Sequence, residues 1–160
     1  QNTLYNWLDS LNFGAIILSG GGDIGEDFSR DLTENCLLLW AEKNKIPVLG
    51  ICRGMQMMGS YYGIELLKVD GHVRTQHLLS SEENNEKIFP EKVMSFHNLA
   101  LEKCPNEFNI VARSEDGCIE AMRHKYLPWE GWMWHPERKK KFDKSNLVRF
   151  KDLIGCSYEK

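Results

Sequence analysis

The chain has 160 residues, one domain's worth on the rough scale of about 100–200 residues per domain, which excludes two independently folded units. A hydrophobic fraction of 42% with 11% aromatics supplies a core, and 27% charged residues of both signs supply a solvated surface, which excludes disorder over most of the length. The net charge of −3 offers no strong basic field for nucleic acid or an anionic membrane, and the sequence shows neither a membrane-length apolar run nor a basic segment followed by an apolar one at its start, so the chain is expected to be soluble and cytoplasmic.

In chain order, Gly14-Ala15-Ile16-Ile17-Leu18 reads as a buried strand that breaks into the loop Ser19-Gly20-Gly21-Gly22-Asp23. From Asp31 to Asn44 the spacing of Leu32, Cys36, Leu39 and Trp40 predicts an amphipathic helix, with Asp31 and Glu34 as a capped start. Ile46–Ile51 is a second apolar run. Met55, Met58 and Tyr62 then recur at helical spacing before Gly63, giving strand, sharp turn and helix. Residues 71–91 lack periodicity and contain the polar run Ser80–Glu86, which predicts a mobile loop. Val93–Phe96, Ile110–Ala112, Cys118–Met122 and Gly131–Trp134 are short strand candidates. Asp116-Gly117 marks a hairpin turn, and Leu147, Phe150 and Ile154 mark a closing helix. Trp132 and Trp134 flank Met133 and are expected to share a sheet face. Arg138-Lys139-Lys140-Lys141 is read as a solvated turn.

The chemistry concentrates around Gly50-Ile51-Cys52-Arg53-Gly54. A nucleophile on a tight strand-to-helix turn needs small residues two positions either side, because the backbone folds back on itself. A helix N-terminus next to Cys52 is expected to favour its thiolate. On spacing alone an inert buried cysteine also fits. His135 and Glu137, in Trp134-His135-Pro136-Glu137-Arg138, supply a base and a carboxylate close enough to orient it. The triple glycine offers unobstructed N–H groups for an oxyanion, with the amide of Arg53 as second donor. The same glycines also fit a phosphate cradle, although the P-loop Lys-Ser/Thr is absent.

His72 and His77 lack a recognisable third ligand, so no metal and no cofactor is expected. Five cysteines without a C-x-x-C pair argue against a disulfide framework or zinc knuckle. Cys36, Cys104, Cys118, Cys156 and His124 are read as structural.

Leu18–Asp23, Pro47–Gln56, Ser95-Phe96-His97-Asn98 and Met133–Glu137 occur in the order found in class I glutamine amidotransferases. The chain resembles that family from about Gly14 to Arg138, and its γ-glutamyl hydrolase (peptidase C26-like) branch in particular. The resemblance implies a single domain over 1–160 with a three-layer, flavodoxin-like α/β fold and a mostly parallel central sheet. It implies Cys52 as nucleophile, His135 as base and Glu137 as its orienter. It also implies an oxyanion hole of Gly21 or Gly22 with Arg53, a γ-glutamyl contact from Gln56, and Ser95, Phe96 and His97 lining the amino-acid end of the substrate. Family members carry a further strand and helix before the segment matching Gly14, so the chain is expected to be truncated at its N-terminus or completed by a neighbouring copy.

Three functions compete on this reading. The first is a free-standing hydrolase of a small γ-glutamyl amide, the second a glutaminase subunit that feeds ammonia to a synthetase partner, and the third a catalytically silent regulatory member. A homodimer or a synthetase is the expected partner. Phe96-His97-Asn98 and Ile119-Glu120-Ala121 further resemble hydrolases of γ-glutamyl nucleotide phosphoramidates in bacterial capsule synthesis.

Overall fold

The computed structural model describes residues 2–11, 13–82, 89–139, 141 and 143–155. Helix α1 (Asn2–Ser10) leads into β1 (Ile16–Leu18), α2 (Phe28–Asn44), β2 (Val48–Ile51) and α3 (Arg53–Tyr61). Short strands follow: β3 (Leu66–Lys68), β4 (Val73–Leu78), β5 (Ser80–Ser81), β6 (Lys92–Phe96), β7 (Leu99–Leu101), β8 (Phe108–Arg113), β9 (Ile119–His124) and β10 (Trp129–Trp132). A 3-10 turn (Pro136–Arg138) and α4 (Lys144–Leu153) complete the order.

Six strands form the central sheet in the order β1-β2-β10-β9-β8-β5. The sheet is mixed: β1, β2 and β10 run parallel, and β9, β8 and β5 are antiparallel to their neighbours. Two small antiparallel pairs stand outside it, β3 with β7 and β4 with β6.

Strand alternation divides the core between the two faces of the sheet. Val48 and Met122 pack with Leu38, Ala41, Met55, Met57 and Met58 beneath the first three helices. Leu49, Ile51, Val111, Ala121, Trp132 and Trp134 form the opposite cluster, against which Phe150 and Leu153 of α4 pack. The result is the expected α/β layering. Trp132 and Trp134 share that second face and stack at 5.5 Å with an interplanar angle of 5°.

Two expectations are corrected. Helix α2 begins at Phe28, capped by Asp27, whose carboxylate accepts the Arg30 N–H at 3.0 Å. Its buried face carries Asp31, Glu34, Leu38 and Ala41, while Leu32 and Leu39 are about half exposed (50% and 49%). Of the expected stripe Trp40 is buried, but Leu32 and Leu39 are not, because the inward positions of the first turns hold carboxylates with buried partners. The segment read as a mobile loop contains β4 and β5 instead, held by pairing to β6 and β8. Positions 83–86 of its polar run lie outside the described residues, as does Cys156. The β8–β9 hairpin does turn through Asp116-Gly117, with Gly117 at φ 89°.

Helix α3 lies so close to β1 and β2 that side chains are excluded where they meet. A Cβ at Gly54 would stand 2.1 Å from the Leu18 carbonyl oxygen, and one at Gly50 would stand 2.7 Å from the Gly54 backbone. Both obstacles are main chain and cannot rotate away. Gly54→Ala is therefore expected to destabilise the fold by about 3 kcal/mol. Gly14→Ala, where a Cβ meets nothing within 4 Å, should stay within about 0.5 kcal/mol. Chemical denaturation of both variants checks the contrast.

Candidate active site

Strand β2 ends at Ile51 and α3 begins at Arg53, so Cys52 alone makes the turn between them. It sits at φ 50°, ψ −104°, a conformation that costs a residue with a side chain about 1–3 kcal/mol. Its N–H extends the parallel pairing by donating to the Trp132 carbonyl at 2.7 Å. The Arg53 N–H donates to the sulfur. Burial nevertheless pushes the Cys52 thiol up to about 11; the Arg53 N–H and the Arg138 charge pull it down, and Glu120 and Glu137 add to the rise. The expected thiolate at the helix N-terminus is thus corrected for the unliganded protein: desolvation outweighs the helix end.

Strands β2 and β10 are adjacent and parallel, with Ile51 opposite Trp132, so the chain leaves both at the same end of the sheet. His135 follows β10 at that end and is 3% exposed. Its Nδ1 lies 2.6 Å from Glu137 Oε1 on the 3-10 turn. Phe96 packs T-shaped against its ring, with centroids 5.9 Å apart, and the Arg138 guanidinium lies over the Phe96 ring at 4.2 Å. The glycine loop after β1 closes over the same histidine. A Cβ at Gly20 would come within 2.5 Å of His135 Cε1, so Gly20 is a site glycine that the sequence pattern did not single out.

Gly21 and Gly22 lie in this loop, packed against Arg30 and Glu26. Arg30 donates to the carbonyls of Ser19 and Gly20 at 2.8 and 3.2 Å, and to Glu34 at 2.8 Å. Glu34 also receives Arg53, whose buried guanidinium bonds Asp31 as well. Asp31 in turn accepts the Gly25 N–H at 2.8 Å. One network of two arginines and two carboxylates therefore fixes both the turn at Cys52 and the glycine loop. Only the proximity of charged residues in α2 hinted at it in the sequence.

Gln56, on α3, is buried and donates to the Leu99 carbonyl at 2.9 Å. Of Ser95, Phe96 and His97, Phe96 meets His135. Ser95 is fully buried and its hydroxyl has no hydrogen-bond partner among the described residues. His97 also donates to the Leu99 carbonyl, at 3.0 Å, and turns its other nitrogen towards Glu120. His72 and His77 come together with Glu120, the third donor that their local sequence lacked.

A family model described as Glutamine amidotransferase class-I matches residues 1–153. A Gamma-glutamyl-CDP-amidate hydrolase of Campylobacter jejuni is 33% identical over 141 residues, covering 84% of this chain and 68% of that protein. A glutamine-hydrolyzing GMP synthase subunit of Methanocaldococcus jannaschii is 32% identical over 149 residues, covering 90% and 76%. Among solved structures, a GMP synthase subunit protein from Thermoplasma acidophilum superposes with a TM-score of 0.75 at 25% identity, over 95% of this chain and 75% of that one. The chain belongs to the class I glutamine amidotransferase family, a family of enzymes. No helix among the described residues is long and apolar enough to cross a membrane.

A thiol at about 11 is protonated at neutral pH by roughly four powers of ten. Alkylation of Cys52 in the unliganded protein should accordingly be slow at pH 7 and accelerate steadily through pH 10. Peptide-resolved iodoacetamide kinetics check this. A plateau already reached below pH 7 would instead indicate a preformed thiolate–imidazolium pair.

Proposed function

We propose that the protein hydrolyses a γ-glutamyl amide bond through a thioester on Cys52. The observation that carries the reading is the convergence, at the ends of two adjacent parallel strands, of a glycine-flanked cysteine and a histidine tied to a carboxylate. His135 takes the thiol proton as the sulfur attacks the amide carbonyl carbon, which answers the raised resting pKa with a base used during the reaction. Glu137 orients the imidazole and stabilises its charged form. The developing oxyanion is received by the Arg53 N–H with an N–H from Gly21 or Gly22. As the C–N bond breaks, His135 returns the proton to the leaving amine. It then deprotonates a water that attacks the thioester, the C–S bond breaks, and glutamate and the free thiol are regenerated. Gln56 and the Ser95-Phe96-His97 segment are the proposed walls for the γ-glutamyl group.

The likeness to the Campylobacter jejuni hydrolase supports a γ-glutamyl nucleotide amidate as the substrate. The likeness to glutamine-hydrolyzing GMP synthase subunits supports a second reading, in which the chain hydrolyses glutamine and passes ammonia to a synthetase.

The two readings separate in one comparison of kcat/KM for glutamine and for a panel of γ-glutamyl amides that includes γ-glutamyl-CDP-amidate. A free-standing hydrolase uses contacts beyond the scissile bond to position the carbonyl, so one amide should exceed glutamine by at least about tenfold. Uniformly slow rates that rise only on adding a synthetase would support the second reading.

A further inference from the structure

Beyond the Cys52–His135–Glu137 set, a second group of chemistry-bearing side chains converges between the β4–β6 pair and the central sheet. His72 precedes β4, His77 lies within it, His97 follows β6, and Glu120 comes from β9. His72 and Glu120 are completely buried and His97 nearly so. The His72 ring lies 4.2 Å from that of His77 and 4.6 Å from that of His97, centroid to centroid.

Hydrogen bonding fixes what each ring presents. An ionised carboxylate only accepts. At 2.7 Å from Asp116 Oδ2, His72 Nε2 therefore donates, which turns its Nδ1 towards Glu120. In the same way His97 Nδ1 donates to the Leu99 carbonyl at 3.0 Å, which turns Nε2 towards Glu120. Both of these nitrogens lie 3.6 Å from Glu120 Oε1. Neither they, nor either oxygen of Glu120, nor His77 Nε2 has a hydrogen-bond partner among the described residues. Two imidazole nitrogens thus stand beside a buried carboxylate with no hydrogen bond among them, and buried polar atoms left without partners are costly unless something fills the space between them.

We propose that a divalent transition-metal ion of the zinc type binds here, with His72, His77 and Glu120 as ligands and His97 as the fourth donor. The ligand atoms of the first three lie within 4.8 Å of one another. Tetrahedral zinc, with bonds of about 2.0–2.1 Å, sets its donors about 3.4 Å apart, so the 3.6 Å pairs need only a small side-chain adjustment. Imidazole-rich donor sets select zinc-like ions over magnesium or calcium. The Asp116 and Leu99 acceptors are the outer partners that ligating histidines require to fix tautomer and ring direction. A competing trio, His72 with Asp116 and Cys118, is set aside because the 2.7 Å His72–Asp116 separation is a hydrogen bond and leaves no room for both to ligate one ion. The ion joins β4 and the end of β6 to β9 and so steadies Phe96 against His135. This departs from the metal-free protein expected from sequence, because Glu120 reaches the histidines only through the fold.

The test uses the full chain, stripped with chelator and titrated with cobalt(II) and zinc(II). One cobalt per chain is expected, with the visible bands of a tetrahedral site, displaced by zinc and accompanied by a rise in Tm. Glu120→Gln should abolish the bands. Asp116 is half exposed at its side chain (52%), so Asp116→Ala offers a variant that keeps the fold, verified by circular dichroism, while weakening zinc binding about 10–100-fold. A folded, stripped protein that takes up no stoichiometric cobalt or zinc would overturn the proposal. So would an Asp116→Ala variant that binds as tightly as the unaltered chain.

Discussion

The turn at Cys52 is the constraint around which the neighbouring structure is arranged. A residue with a side chain is held at φ 50° between two glycines whose Cβ positions are already filled by Leu18, Met58 and the backbone of Gly54 itself. Such a conformation persists only where the surroundings over-determine it. Here the Cys52 N–H continues the β2–β10 pairing, Gln56 N–H closes the first helical turn back to the Cys52 carbonyl at 3.0 Å, and α3 is pressed against β1 and β2. The sulfur is consequently buried, and burial pushes its thiol up to about 11, yet it stands at the end of a strand whose neighbour in the sheet delivers a histidine.

The buried charge network of α2 ties this turn to the loop opposite. Placing the Arg53 guanidinium in the interior is tolerable because both Asp31 and Glu34 receive it. Removing either carboxylate would leave an uncompensated buried charge. Glu34 also engages Arg30, which holds the Ser19 and Gly20 carbonyls, so the two backbone segments proposed to form the oxyanion hole share one set of side-chain anchors.

Several strands, the turn at Cys52 and the β8–β9 hairpin were legible in the sequence, for identifiable reasons. Gly50 and Gly54 are spaced as a nucleophile turn demands, and Trp132 and Trp134 alternate as strand residues on one face must. The Asp116-Gly117 pair places a hairpin that Gly117 occupies at φ 89°. What failed did so where tertiary partners decide. The first turns of α2 are polar on their inward face because Arg53, distant in sequence, needs their carboxylates, so an apolar stripe search is drawn to the exposed Leu32 and Leu39. Strand β4 has an exposed, polar composition and takes its order from pairing with β6. Gly20 did not stand out beside its neighbours, although it is the glycine against which His135 packs. Glu120 looked like one residue of a strand, and only the sheet brings it to His72, His77 and His97.

The central claim is that Cys52, of all the thiols, forms the bond to the substrate's carbonyl carbon. Treating the protein with a glutamine-like electrophile and mapping the adduct by peptide mass spectrometry tests it most directly. The account predicts one adduct per chain on the Cys52 peptide, with glutamate-releasing activity lost in proportion and protection by a γ-glutamyl amide. Adducts mainly on Cys36, Cys104, Cys118 or Cys156, or full labelling of Cys52 with activity retained, would contradict it.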